Sequence, residues 1–154
     1  HTGHEGLLLA AEKASCREGL FELSVTNVDK PPLSLVEVER RLLQMKGCYC
    51  VALTCAPRFS EKAGLFPGAW FALGYDTALR LLDPQYQSDI RAMLHRFREL
   101  GTHFVVAGRL HNGRFQGLES LDIPDGFKDL FIPIPEKEFR EDVSSTELRR
   151  QARP

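Results

Sequence analysis

The sequence has no apolar run approaching the roughly 18 residues that a membrane-spanning helix needs. It also has no C-x-x-C pair, so a zinc ribbon or thioredoxin-like redox pair is excluded. An excess of one charge sign is missing as well. Twenty Lys plus Arg stand against 21 Asp plus Glu, so no whole-molecule field gathers nucleic acid or an anionic membrane. Any phosphate binding has to be local. Arg91, Arg96, Arg98 and Arg109 form a scattered basic set without a nucleic-acid recognition motif beside it. The first residues lack the pattern of a signal peptide, and Cys48, Cys50 and Cys55 fall in one apolar run, with Cys16 apart. These features predict buried, reduced thiols in a soluble cytoplasmic protein.

What is present fits one domain: 154 residues, 43% of them apolar, are enough for a single hydrophobic core. Leu7, Leu8, Ala11 and Ala14 recur at helical spacing between Glu5 and Cys16. Leu20 to Val25 reads as a short strand that delivers a loop ending in Pro31-Pro32. Ser34 and Glu37 form a capping box, beside a Leu33–Val38 staple, for a helix whose stop is Gly47. Tyr49 to Leu53 suits a strand covered on both faces. The segment from Ala56 to Gly68, with its prolines and glycines, reads as a flexible loop.

Trp70 to Leu73 predicts a third strand and Asp76 to Leu82 a short helix. Ile90, Met93, Leu94, Phe97 and Leu100 share the face of a longer helix, capped by Ser88 and ended by Gly101. Phe104 to Ala107 is a fourth strand, followed by a polar, glycine-rich stretch, a short strand near Leu130 to Pro133, and a terminal helix from about Ser144. Strands alternating with helices predict an α/β fold: a Rossmann-like, doubly wound, mostly parallel sheet with helices on both faces and ligands beyond the carboxyl ends of the strands. A central strand is expected to feed the first helix, and the sequence starts at that helix, so the domain is expected to have residues before His1.

Two segments carry chemistry. In His1-Thr2-Gly3-His4, at a helix start, Gly3 lets backbone approach a ligand, free N–H groups face an anion, and two imidazoles flank them. Read alone, the fragment leaves phosphate contact, a metal and coincidence open, although a third metal ligand is not evident nearby. In Asp142 to Arg149, Ser144 and Glu147 form another capping box, placing Ser145 and Thr146 in a first turn with Arg149 within reach of it. An ordinary capped helix with solvated arginines is the alternative.

Together the two segments resemble the cytidylyltransferase-like nucleotidyltransferases, marked by H-x-G-H after the first strand and I-S-S-T-x-I-R at a late helix. Here the second motif reads Val143-Ser144-Ser145-Thr146-Glu147-Leu148-Arg149, with Val and Leu replacing the isoleucines. The order of segments is similar from the H-x-G-H onward, and the nearest branch looks like the nicotinamide or nicotinate mononucleotide adenylyltransferases of NAD biosynthesis. The family's first strand and its G-x-F-x-P phosphate loop have no counterpart in the sequence.

The resemblance implies that His1 and His4 contact nucleotide phosphates, with His4 the main transition-state donor and Arg149 neutralising the outer charge. Ser144, Ser145 and Thr146 would hold the triphosphate, and Gly3 would admit it. Gly74 and Asp76 match the family's G-x-D, which otherwise reads as a turn, and Arg109 matches its basic residue after the corresponding strand. Lys30 stands where related enzymes place a phosphate-binding lysine. The implied reaction joins ATP to a mononucleotide-type acceptor and releases pyrophosphate, with Mg²⁺ carried mainly by the triphosphate and no protein metal site. CTP with a phosphorylated alcohol, or a catalytically inactive nucleotide-binding domain, are the alternatives. Neither nucleic acid nor membrane is an expected partner, while a homo-oligomer and a fused amino-terminal segment are both compatible with the sequence.

Overall fold

The computed structural model describes residues 2–45, 47, 49–111 and 113–139. Helix α1 spans Thr2–Ser15 and buries Leu8, Ala10 and Ala11. Strands β1 (Phe21–Ser24) and β2 (Val51–Thr54) pair in parallel across helix α2 (Leu35–Met45). The Glu37 amide donates to Ser34 Oγ at 3.3 Å, which is the expected cap. The Glu37 carboxylate turns instead to Arg40 and Arg41, whose N–H groups donate to it at 2.7–2.8 Å. Those hydrogen bonds hold its pKa down at about 2. Gly47, at φ 79°, takes up the left-handed conformation that stops α2.

Helix α3 (Phe59–Leu65) leads to β3 (Trp70–Gly74), and α4 (Tyr75–Leu81) and α5 (Ile90–Glu99) lead on to β4 (His103–Ala107). A hairpin of β5 (Arg109–His111) and β6 (Arg114–Gln116) precedes β7 (Phe131–Ile134). Strands β3, β4 and β7 form a parallel sheet in the order β3-β4-β7. The alternation of side chains along these strands sorts the core into two layers. Phe71, Leu73, Phe104, Val106 and Phe131 face α3, α4 and α5, and Trp70, Ala72, Val105, Ala107 and Ile134 face α1. The fully buried ring of Phe104 lies 5.0–6.0 Å from those of Phe59, Phe71, Phe97 and Phe131.

The fold is therefore mixed α/β with flanking helices, and the alternation of strand and helix agrees with the sequence. The single continuous sheet expected from it is not seen among the described residues. Among the described residues there are two separate parallel sheets and an antiparallel hairpin, because β1 and β3 do not pair. Three local expectations also change. The segment expected to be a flexible loop holds α3, where Ala63 is fully buried against the core. Asp89, not Ser88, caps α5, its Oδ1 accepting from the Ala92 amide at 2.9 Å. The glycine-rich stretch forms the β5–β6 hairpin, turned at Gly113 with φ 74°. Gly108 is required before it, since a Cβ there would collide with the Phe115 ring and stand 2.7 Å from the Gln116 carbonyl oxygen.

Cys16, Cys50 and Cys55 are exposed rather than buried, and free. Leu53 is 49% exposed, so β2 is not covered on both faces. The terminal helix expected from Ser144 lies outside the described residues.

Phe104→Ala removes the ring that both strand neighbours and two helices pack on. It is expected to cost about 3–5 kcal/mol of unfolding free energy, read from the shift of the urea midpoint at unchanged slope.

Candidate functional site at the carboxyl ends of the strands

The orientation of α1 decides where His4 falls. At its far end, Arg17 donates to the Gly68 carbonyl at 3.1 Å and its guanidinium lies 4.9 Å from the Trp70 ring, beside the start of β3. Near its beginning, Gly6 packs against Phe139, beyond the end of β7. Helix α1 thus runs antiparallel to the sheet, and its first turn, with Gly3 and His4, stands at the carboxyl edge. Glu5 in the same turn balances the positive helix start.

Gly74 is the last residue of β3, opposite Ala107 of β4. Its φ of −74° and ψ of 157° are ordinary extended backbone, so this glycine is not there for a special conformation. Two residues on, Asp76 in the first turn of α4 accepts a hydrogen bond and ion pair from Arg109, the first residue of β5. The Arg109 side chain is 20% exposed and that of Asp76 63%. Arg109 Nε is buried and has no hydrogen-bond partner among the described residues. The guanidinium is thus pinned at Nη1 and keeps an unused donor.

Lys30 is exposed on the loop after β1. That loop is closed by the Leu33 amide donating to the Val25 carbonyl at 2.8 Å and is tied to α4 by an ion pair of Asp29 with Arg80. No hydrogen bond or ion pair joins Lys30 itself to Asp76 or Arg109 among the described residues. Gly74, Asp76 and Arg109 are thus brought together, with His4 on the same edge and Lys30 on a loop anchored to α4. His1, Ser144, Ser145, Thr146 and Arg149 lie outside the described residues.

Comparison with protein families, curated proteins and solved structures returns no match. The chemistry of this edge therefore has to be read from its own residues. Among the described residues, no group of three or more His, Cys, Asp or Glu is placed to hold a metal ion. No helix among them is long and apolar enough to cross a membrane.

A cavity of about 430 Å³ runs along α1 from His4 to Ser15. It is walled by Phe21 and Glu22 of β1, Trp70 to Ala72 of β3, and Phe59 and Lys62 of α3. Inside its wall, Lys62 Nζ donates to Glu22 Oε2 at 2.6 Å, and Thr54 Oγ1 donates to Glu22 Oε1. Both charged side chains are largely covered, at 12% and 18% exposure. The pair stands outside both motif segments of the sequence. The signal was Glu22, a carboxylate in the middle of an apolar strand, which needs a cation if its strand is covered.

His4 stays exposed at the mouth of this cavity, and partial desolvation there lowers its pKa below the ordinary 6.5. Above pH 6.5 the imidazole is neutral folded and unfolded and contributes no pH dependence. As pH falls through 6.5, the unfolded chain binds the proton first, so stability declines until the lower folded value is passed. NMR titration is expected to place the His4 midpoint below 6.5, and His4→Gln to flatten this part of the stability–pH curve.

Proposed function

We propose that the carboxyl edge is a nucleotide site, and that the chain is a nucleotidyltransferase domain moving AMP from ATP to a phosphate-bearing acceptor such as nicotinamide or nicotinate mononucleotide. The observation that carries this reading is Arg109, held by Asp76 beyond the end of β4 with part of its guanidinium side chain still exposed, at 20%. A fixed guanidinium with a spare donor suits a phosphate, and the carboxyl ends of parallel strands are where such ligands bind in α/β folds. The His4 imidazole on the same edge supports it further. A neutral imidazole at pH 7 offers one N–H donor without adding a fixed charge.

In this reading an acceptor phosphate oxygen attacks the α-phosphorus of ATP, the bond to the bridging α–β oxygen breaks, and pyrophosphate leaves. No residue becomes covalently attached. His4 donates to a phosphoryl oxygen as its charge grows, and Arg109 orients the bound phosphates, so the protein contributes position and charge compensation. Lys30 on its anchored loop lies in reach of solvent-side phosphate groups. The parts given to His1, Gly3, Ser144, Ser145, Thr146 and Arg149 rest on motif resemblance. Mg²⁺ held by the triphosphate and water would neutralise phosphate charge there, and the largely exposed Asp76 is compatible with that.

The test is pyrophosphate release by the purified protein with ATP or CTP, Mg²⁺ and a panel of mononucleotide and phospho-alcohol acceptors. Release that depends on one acceptor, and falls about 100-fold in His4→Ala while the melting point holds, is the expected result. An unchanged rate in that variant overturns the role of His4. Turnover with CTP and a phosphorylated alcohol selects the cytidylyl alternative, and nucleotide binding without release selects a regulatory domain.

A further inference from the structure

The loop from Val25 to Leu33 carries Lys30, and its local ties are internal. The Leu33 amide closes the base on the Val25 carbonyl at 2.8 Å, and the Asp29 amide donates to Asn27 Oδ1 at 3.0 Å. Pro31 and Pro32 follow Lys30, which confines the Lys30 backbone to extended conformations. These contacts shape the loop without fixing its place on the molecule. Among the described residues, one ion pair ties a side chain of this loop to another element, that of Asp29 with Arg80 of α4.

Arg80 stands one turn after Asp76 on α4, and at i, i+4 spacing the two side chains share a face, about 5–6 Å apart at Cβ. Asp76 takes the Arg109 guanidinium from beyond β4, and Arg80 takes the Asp29 carboxylate from the loop after β1. One face of α4 thus gathers two cation-bearing segments that follow strands of different sheets. The Arg80 guanidinium also lies over the Tyr86 ring, 4.8 Å from its centre, which restricts the side chain further. Lys30, next in sequence to Asp29, is exposed. We propose that Arg80 is a positioning residue: through Asp29 it holds the Lys30 loop against α4, so that Lys30 and Arg109 together take one polyphosphate chain. This rests on the reading of the carboxyl edge as a nucleotide site.

The sign of one substitution separates this role from simple electrostatics. Asp29 puts a negative charge beside a site for an anion, so by charge alone its removal would strengthen nucleotide binding. With Asp29 as the tether, its removal weakens binding instead, because the nucleotide then has to order the loop itself. The Arg80 and Asp29 side chains are 55% and 45% exposed, so the pair adds little to global stability and its loss leaves the melting point in place.

Calorimetric titration of the purified protein with Mg²⁺ and α,β-methylene-ATP, whose α–β bridge cannot be cleaved in the transfer, tests this. Arg80→Ala and Asp29→Asn are each expected to weaken binding about threefold to fivefold at an unchanged melting point. In a Lys30→Ala background neither change has a further effect, since the loop then has no cation to place. In the free protein, Arg80→Ala is expected to speed exchange of the Asp29 and Leu33 amides, which reads the tether without nucleotide. Tighter binding in Asp29→Asn, or a loss in Arg80→Ala that persists in the Lys30→Ala background, overturns the assignment and makes Arg80 a direct phosphate contact. Equal affinity in all variants overturns it as well. If the unaltered protein binds no nucleotide while Arg80→Ala still speeds the amides, the nucleotide reading falls and takes the phosphate role of Lys30 with it.

Discussion

The ring of Phe104 is fully buried and packs against rings from α3, α5, β3 and β7, so one strand residue ties two helices to both of its sheet neighbours. Because β3, β4 and β7 are parallel and in register, fixing this layer also fixes where each strand stops. Gly74 and Ala107 end level with one another. That shared end point brings Asp76, two residues past β3, against Arg109, two residues past β4. The geometry of the candidate site is thus a consequence of packing some distance beneath it.

On the opposite face α1 supplies small side chains, Ala10 and Ala11, over Val105 and Ala107, which lets the helix lie close to the sheet. The close approach holds the first turn of α1 at the carboxyl edge and partly desolvates His4. The half of the molecule built from β1, β2 and α2 is less covered. Leu35, Val36, Leu43 and Leu53 are exposed, and among the described residues no hydrogen-bonded strand links this half to the β3 sheet. Instead it is held by side chains: Glu22 of β1 to Lys62 of α3, and Asp29 of the following loop to Arg80 of α4. The first of these pairs is largely buried, so removing either partner would strand a charge, a far larger cost than losing the exposed second pair.

Periodicity was a reliable guide wherever an element buries one continuous stripe. Met93, Leu94 and Phe97 are the buried residues of α5, and the apolar run at Phe104 to Ala107 is the central strand β4. It misled where burial depends on one residue or on a distant partner. Helix α3 buries mainly Ala63, too small to write an amphipathic pattern among prolines and glycines. The β5–β6 hairpin is held against Gly108 by Phe115, a contact that no local pattern announces. Cysteines in an apolar run were expected inside, yet Cys50 and Cys55, which flank the partly covered strand β2, are exposed.

The sequence by itself determined the alternation of strands and helices, the cap at Ser34, the stops at Gly47 and Gly101, and which residues β4 and α5 bury. Each of these depends on side chains within a few positions of one another, so local sterics, hydrogen bonding and periodicity suffice. The tertiary structure alone decided that Arg109 meets Asp76, that Glu22 meets Lys62, and that Asp29 meets Arg80. Those outcomes join residues between 33 and 51 positions apart. They depend on how whole layers pack and on which strand edges find partners, and no window of neighbouring residues encodes either.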